Sequence, residues 1–241
     1  QAWGAAQIMG ALHEDNAGYY GTTPITGHPS DAWGWVIGAG LKINTPFISQ
    51  GDYLDAEANY TQGALKYLWD ANPSNEQGVN GATEGFGIMS DCVYGGTVGA
   101  GATGCQLTSA WEIDVGYEHY WTPQWHESFV FNGMWTKYGT SGNNMLCSAE
   151  GAGNGLAGSA GVALAGCNNN WDDDGAGSRL QWDVTKSFYV GVEALYQHLD
   201  SATLPGGLIT KAVSLTNSGA TTVADQNNWS FTVRMHKDFL P

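Results

Sequence analysis

Charge is what this sequence has least of. Asp, Glu, Lys and Arg together make up 13% of its 241 residues, about half the share usual in a soluble globular domain. Only eight are Lys or Arg, they form no cluster, and the formal charge is −15. That balance excludes the basic face that nucleic-acid binding requires. No uninterrupted apolar run approaches the ~18 residues that mark a transmembrane helix. A signal peptide is also missing. The chain opens at Gln1-Ala2-Trp3, already strand-like and without a Met, which predicts a processed or partial product. There is no HExxH, no GxSxG elbow and no GxGxxG ahead of a helix, so neither an enzyme nor a cofactor is expected.

What is plentiful is glycine, with 35 residues, and large aromatics, with Trp 11 and Tyr 11. A soluble protein this poor in charge would need another way to wet its surface. A β-barrel in lipid does not, because its outside faces hydrocarbon between aromatic girdles. Strict alternation supports that reading. From Ser109 to Trp121 the odd positions are Trp111, Ile113, Val115, Tyr117, His119 and Trp121, whereas the even ones include Glu112, Asp114, Gly116 and Glu118. Successive strand side chains point to opposite faces, so such a strand separates an apolar medium from a watery one. Trp33, Trp35, Ile37, Ala39, Leu41 and Ile43 against Lys42 and Asn44 repeat the split. Trp229, Phe231, Val233 and Met235 against Ser230, Thr232, Arg234 and His236 repeat it again.

Alternation alone also fits a soluble sandwich; loop lengths separate the two. Strands are expected near 2–14, 32–43, 53–68, 108–121, 126–138, 178–185, 188–199 and 228–239. Connections after the second, fourth and sixth are short (Thr45–Asp52, Thr122–Trp125 and Thr185–Ser187), and the others are long and polar or Gly-rich. Short turns on one rim and long loops on the other describe an outer-membrane barrel with the short side periplasmic. The expectation is all-β: one antiparallel transmembrane barrel domain over 1–241, with both termini on the short-turn side. Gly85–Tyr94 fits best inside a long extracellular excursion, and the Gly/Ala stretch Gly151–Gly166 as a flexible loop.

The polar faces nominate a water-filled lumen lined by Lys42, Asp55, Glu57, Glu112, Asp114, Glu118, Arg179, Asp183, Glu193 and Arg234. Acids opposed by guanidinium groups would filter solutes by charge. Glu112 and Asp114 also sit at a spacing near that of a glycosidase pair, though nothing in the sequence signals a raised acid pKa, and a wetted wall is the simpler account. Asn170, Asp172 and Asp174, followed by Gly175, match the opening half of a calcium loop. The closing position holds Gln181 and no bidentate Glu, so the motif is weak and no metal site is assigned. His119 and His126 flank one short turn; an interfacial role is favoured over a metal pair. The cysteines Cys92, Cys105, Cys147 and Cys167 match no zinc spacing. Two bridges allow three connectivities; the local one, Cys92–Cys105 with Cys147–Cys167, closes the shortest loops, and free buried thiols are the alternative.

Particular stretches are similar to a known family. TSAWEIDVGYEHYWTP at 108–123, SRLQWDVTKSFYVGVEALYQHL at 178–199 and FTVRMHKDFLP at 231–241 resemble alphaproteobacterial porins, as do WGAAQIMGALHE at 3–14 and WGWVIGAGLKIN at 33–44. The resemblance implies a Gram-negative outer-membrane barrel of about sixteen strands, of which this chain is the C-terminal half or so. It also implies a homotrimer in a bilayer with lipopolysaccharide, passing small hydrophilic solutes and ions by passive diffusion. The family's pore-narrowing loop belongs to the other half. Two other readings stay open: a complete eight-strand anchor or adhesin barrel, and a secreted carbohydrate-active β-sandwich.

Overall fold

The computed structural model describes residues 2–13, 32–68, 75–80, 83–94, 104–149, 166–205, 208–210 and 219–239. In chain order the elements begin with β1 (Ala2–His13), β2 (Ala32–Asn44) and β3 (Tyr53–Gln62). A 3-10 turn at Leu65–Tyr67 follows, then β4 (Asn75–Asn80), β5 (Thr83–Ile88), β6 (Cys92–Val93) and β7 (Gln106–Leu107). Next come β8 (Ser109–Tyr120), β9 (Trp125–Lys137), the helix α1 (Thr140–Ala149), β10 (Trp171–Thr185) and β11 (Phe188–Asp200). The chain ends with β12 (Leu208–Thr210), β13 (Gly219–Val223) and β14 (Gln226–Lys237).

Eight long strands form one sheet in the order β1-β2-β3-β8-β9-β10-β11-β14, and every pair in it is antiparallel. These are the eight strands expected from alternation. Wall neighbours follow one another in the chain, so the sheet is a meander whose long connections hold everything else. Among the described residues β1 and β14 are its two edges and do not pair with each other. The turns after β2, β8 and β10 all fall on one rim, as do the start of β1 and the end of β14.

Two strand bounds need correction. The third strand stops at Gln62 and does not run on to residue 68. Gly63 turns left-handed at φ 74°, and its backbone crosses Gly34 so closely that a Cβ on Gly34 would sit 1.9 Å from the Gly63 carbonyl oxygen. The sixth wall strand starts at Trp171 and not at 178. Its Asp-Asp-Asp-Gly opening looks like a turn in sequence, but both neighbouring strands pair with it. The connection between β9 and β10 contains α1, which carries no apolar periodicity in sequence to announce it. Gly85–Tyr94 lies in the long connection between β3 and β8, as expected, and holds strand of its own. β5 belongs to a separate sheet, β12-β13-β5-β4, and β6 pairs with β7. Most of the Gly/Ala stretch, 151–165, lies outside the described residues.

The hydrophobic core lies entirely at the long-loop end. It joins wall residues Val36, Ala110, Met134, Trp171 and Leu199 to Leu65, Phe86, Ile88, Val93 and Leu146 from the connections. Burial of each large member contributes about 1.5–3 kcal/mol. The bridges Cys92–Cys105 and Cys147–Cys167 are both formed, and both close loops within this layer.

Candidate functional site: the polar face of the wall

Strand register decides which side chains share a face. Lys42 lies opposite Asp55, Asp55 opposite Gly116, and Glu57 opposite Asp114. Glu118 lies opposite Ser128, Ser128 opposite Arg179, and Arg179 opposite Glu193. Glu193 lies opposite Thr232, two residues from Arg234, and Glu112 two residues from Asp114. Asp183 is four residues from Arg179, before the bulge that precedes Thr185. All ten charged residues nominated from sequence therefore occupy one face. Because directly opposed residues face the same way, this follows from backbone pairing alone.

The other face is apolar and exposed. Ile37, Leu41, Trp111, Phe131, Trp182 and Val192 all present large exposed side chains there. On the edge strand β14 the exposure reaches 77% for Phe231 and 70% for Val233 and Met235, and adjoining exposed apolar side chains of this kind mark an interaction or membrane surface. Aromatics gather at its two borders. Near the long loops Trp35 meets Tyr60 at 5.3 Å and Tyr60 meets Trp111 at 4.5 Å; near the short turns Trp125 stacks on Trp182 at 5.4 Å. From Trp111 to Trp121 is about 33 Å of strand, or about 25 Å of height at the usual ~40° tilt.

Polar-face side chains are linked across strands. The Asn59 amide donates to Glu57 at 2.9 Å and to Glu112 at 3.0 Å. Nearer the short turns, Ser128 donates to Glu118 at 2.5 Å, and Glu118 also bonds His126 Nδ1. The other His126 nitrogen faces Asp183 at 3.4 Å; Gln181 donates to Asp183, and Arg179 to Gln181, each at 2.8 Å. Beside Asn59 and Glu57 lies a hollow of about 840 Å³, lined from Lys42 and Asp55 across Asp114 and Asn132 to Leu195. Its lining comes from β2, β3, β8, β9 and β11. Glycines keep the wall thin. The Asp55 carboxylate lies flat over Gly116, and a Cβ there would meet it at 2.4 Å.

His119 and His126 cannot form a metal pair, because His119 is opposite Glu127 on the apolar face and His126 opposite Tyr120 on the polar one. His119 instead meets the short-turn residue Asp52 at 2.8 Å and packs edge-on against Trp121. Asp52 also accepts from the Tyr117 hydroxyl and the Tyr120 amide, each at 2.8 Å. Burial works against its charge, but the Tyr120 amide, His119 and Tyr117 outweigh it and hold the carboxyl below its usual range. The half calcium motif is strand, not loop. Asp172 and Asp174 point to the face opposite Asp173, and the Asn170 side chain accepts from the Tyr138 amide, so the three do not curl around one point. No cluster of metal-ligating side chains occurs among the described residues. Asp173, Gln197 and Asn132 join the polar face without having been nominated. Asp173 keeps step with Gly175, Gly177 and Arg179, a signal hidden by the late start assigned to that strand.

No curated protein and no solved structure matches this sequence significantly. A family model described as a porin subfamily matches residues 1–232, nearly the whole chain, with seven wall strands in full and the first part of β14, and the chain therefore belongs to the porin family.

Proposed function

We propose that the eight-stranded sheet is wall of a water-filled bore in the bacterial outer membrane, through which small hydrophilic solutes and ions diffuse passively. One observation carries this: two faces of opposite chemistry, the apolar one bounded by aromatic borders about 25 Å apart, the height of a barrel's lipid band. The ten charged residues line the bore, and no catalytic or cofactor role is assigned to any of them. The short turns face the periplasm and the long connections the lipopolysaccharide side.

Unpaired sheet edges cannot lie in hydrocarbon, because their amides would find no partner there. β1 and β14 must pair with each other or with further strands. An eight-strand barrel has an interior filled by side chains. Here the polar face lines an open hollow and is thinned by glycine, which favours further strands and a barrel of about sixteen. Association as a homotrimer belongs to the same proposal. Planar-bilayer recording is the test: stepwise conductance is expected, and its absence at every salt concentration would leave the eight-strand anchor as the better account.

A further inference from the structure

The apolar face carries a short polar row one step inside its short-turn border. Asp52 meets His119 Nδ1 at 2.8 Å, and Glu127 lies directly opposite His119 on the next strand. The row continues through Leu180, Val192 and Val233, so backbone pairing alone puts Glu127 on the apolar side. The next row toward the short turns is the border itself, where Trp125 stacks on Trp182 and Trp121 follows His119 by two residues. None of the ten bore residues belongs to this row.

Glu127 is held in place but not neutralised. Its Oε1 accepts from Ser178 Oγ at 2.5 Å and its Oε2 from Trp121 Nε1 at 3.2 Å. Both donors are uncharged, and among the described residues no Lys, Arg or His forms an ion pair with it. His119 is fixed from its other side. Its Nδ1 faces Asp52, a buried carboxylate that also takes the Tyr117 hydroxyl and the Tyr120 amide. In the neutral imidazole the single proton is thus committed to Asp52, which leaves the Nε2 lone pair open. An unpaired carboxylate therefore stands beside a free acceptor.

We infer that this row binds the primary ammonium of a phospholipid headgroup on the short-turn side of the membrane, with Glu127 supplying the charge and His119 a second acceptor. The inference rests on the channel reading, which puts this face in lipid. Three features select an ammonium. A carboxylate on a lipid-facing wall is unfavourable without a counter-charge. The free polar groups here are acceptors, so an ammonium with three N–H donors complements them, whereas a phosphate would meet Glu127 as a like charge. Finally, Trp121 is 59% exposed beside the carboxylate, and an indole face attracts a cation. Border tryptophans lie at headgroup level, and Glu127 is only one row, ~7 Å of strand, from them.

Native mass spectrometry of the folded wild-type protein in detergent tests this with three lipids of identical acyl chains. Their headgroups are phosphoethanolamine, phosphocholine and phosphoglycerol. Choline keeps the positive charge but has no N–H donor, and glycerol has no charge to offer. The ethanolamine lipid should be retained roughly tenfold better than either, the size of one charge-assisted hydrogen bond. Equal retention of all three by wild type would refute the inference without recourse to any variant. Glu127→Gln keeps the side-chain shape and should abolish the preference; Glu127→Lys should transfer it to the glycerol lipid. A preference for ethanolamine that survives both substitutions would put the site elsewhere and defeat the assignment. A changed subunit number in Glu127→Gln, with lipid retention unchanged, would show that a second copy covers this row and would equally defeat it. Glu127 faces away from the bore, so ion steps of Glu127→Gln in planar bilayers should match those of wild type. Wild-type protein that gives no steps would count against the channel reading; steps without a headgroup preference would count against this inference alone.

Discussion

Asp114 and Val115 are adjacent in sequence and face opposite sides of the wall. Asp114 lies opposite Glu57 and Asn132 on the polar face, and Val115 opposite Ala56 and Phe131 on the apolar one. Val115 is also close to halfway between Trp111 and Trp121, which on the channel reading puts it near the centre of the lipid band. Val115→Lys should cost about 2–4 kcal/mol of stability in lipid. Asp114→Asn should cost far less, since both side chains are wetted. Denaturant titration of both variants refolded into bilayers measures the difference; equal sensitivity would remove the assignment of faces.

The short-turn cluster around Asp52 predicts a pH dependence with a definite sign. Its native carboxyl titrates below the ordinary value of 3.8, so the unfolded chain binds the proton more readily. The stability it contributes is fully present above about pH 4, and is lost as pH falls through the lowered native value. Asp52→Ala also leaves Tyr117, His119 and the Tyr120 amide without their shared acceptor. The variant should unfold at lower denaturant than wild type at pH 7, and the gap should shrink below pH 4. A gap constant across that range would mean that the carboxylate charge is not what holds the turn.

Removing a bridge should loosen the long connections and spare the wall. Cys147 and Cys167 are 20 residues apart, and opening a loop of that size costs about 3 kcal/mol on the chain-entropy estimate. Both cysteines lie outside the eight wall strands. Cys147→Ser with Cys167→Ser should raise protease sensitivity between β9 and β10 and leave the heat-modifiable mobility of a folded barrel. Loss of that mobility would show that the wall and its connections fold as one unit.

The wall was legible in sequence because its two faces differ in chemistry. Alternation at Trp111 to Trp121 therefore records the faces directly, and the pairing register agrees with them. The folded connections were not legible, since β5 and α1 are buried by distant segments. β5 is chosen by what it must avoid, namely a side chain at Gly85 or Gly87, and a glycine in sequence reads equally well as a loop. Asp172 and Asp173 mislead for a related reason. They sit in strand because β9 and β11 pair with them on both sides, and that support lies 37 residues upstream for Trp135, opposite Asp172, and 26 downstream for Leu199, opposite Asp173. Local propensity in the Asp-Asp-Asp-Gly run points the other way.

The charge on the bore face predicts which ions pass. Asp55, Glu57, Glu112, Asp114, Glu118, Asp183 and Glu193 oppose only Lys42, Arg179 and Arg234. The distribution along the strands sharpens the imbalance. Glu57, Glu112 and Asp114 lie toward the long connections with no basic residue in their rows, whereas Arg179 stands directly between Ser128 and Glu193, nearer the short turns. A wall of net negative sign raises the local concentration of cations, and salt screens that effect over ~30 Å at 0.01 M but only ~3 Å at 1 M. Reversal potentials across a tenfold KCl gradient should therefore show mild cation preference that fades as both sides are made more concentrated. Neutralising Glu57, Glu112 and Asp114 together, as Gln, Gln and Asn, should remove most of it, while Arg179→Gln should strengthen it. Anion preference in dilute salt would mean that charges outside these eight strands dominate the bore, and a preference indifferent to salt would mean that size, not field, does the selecting.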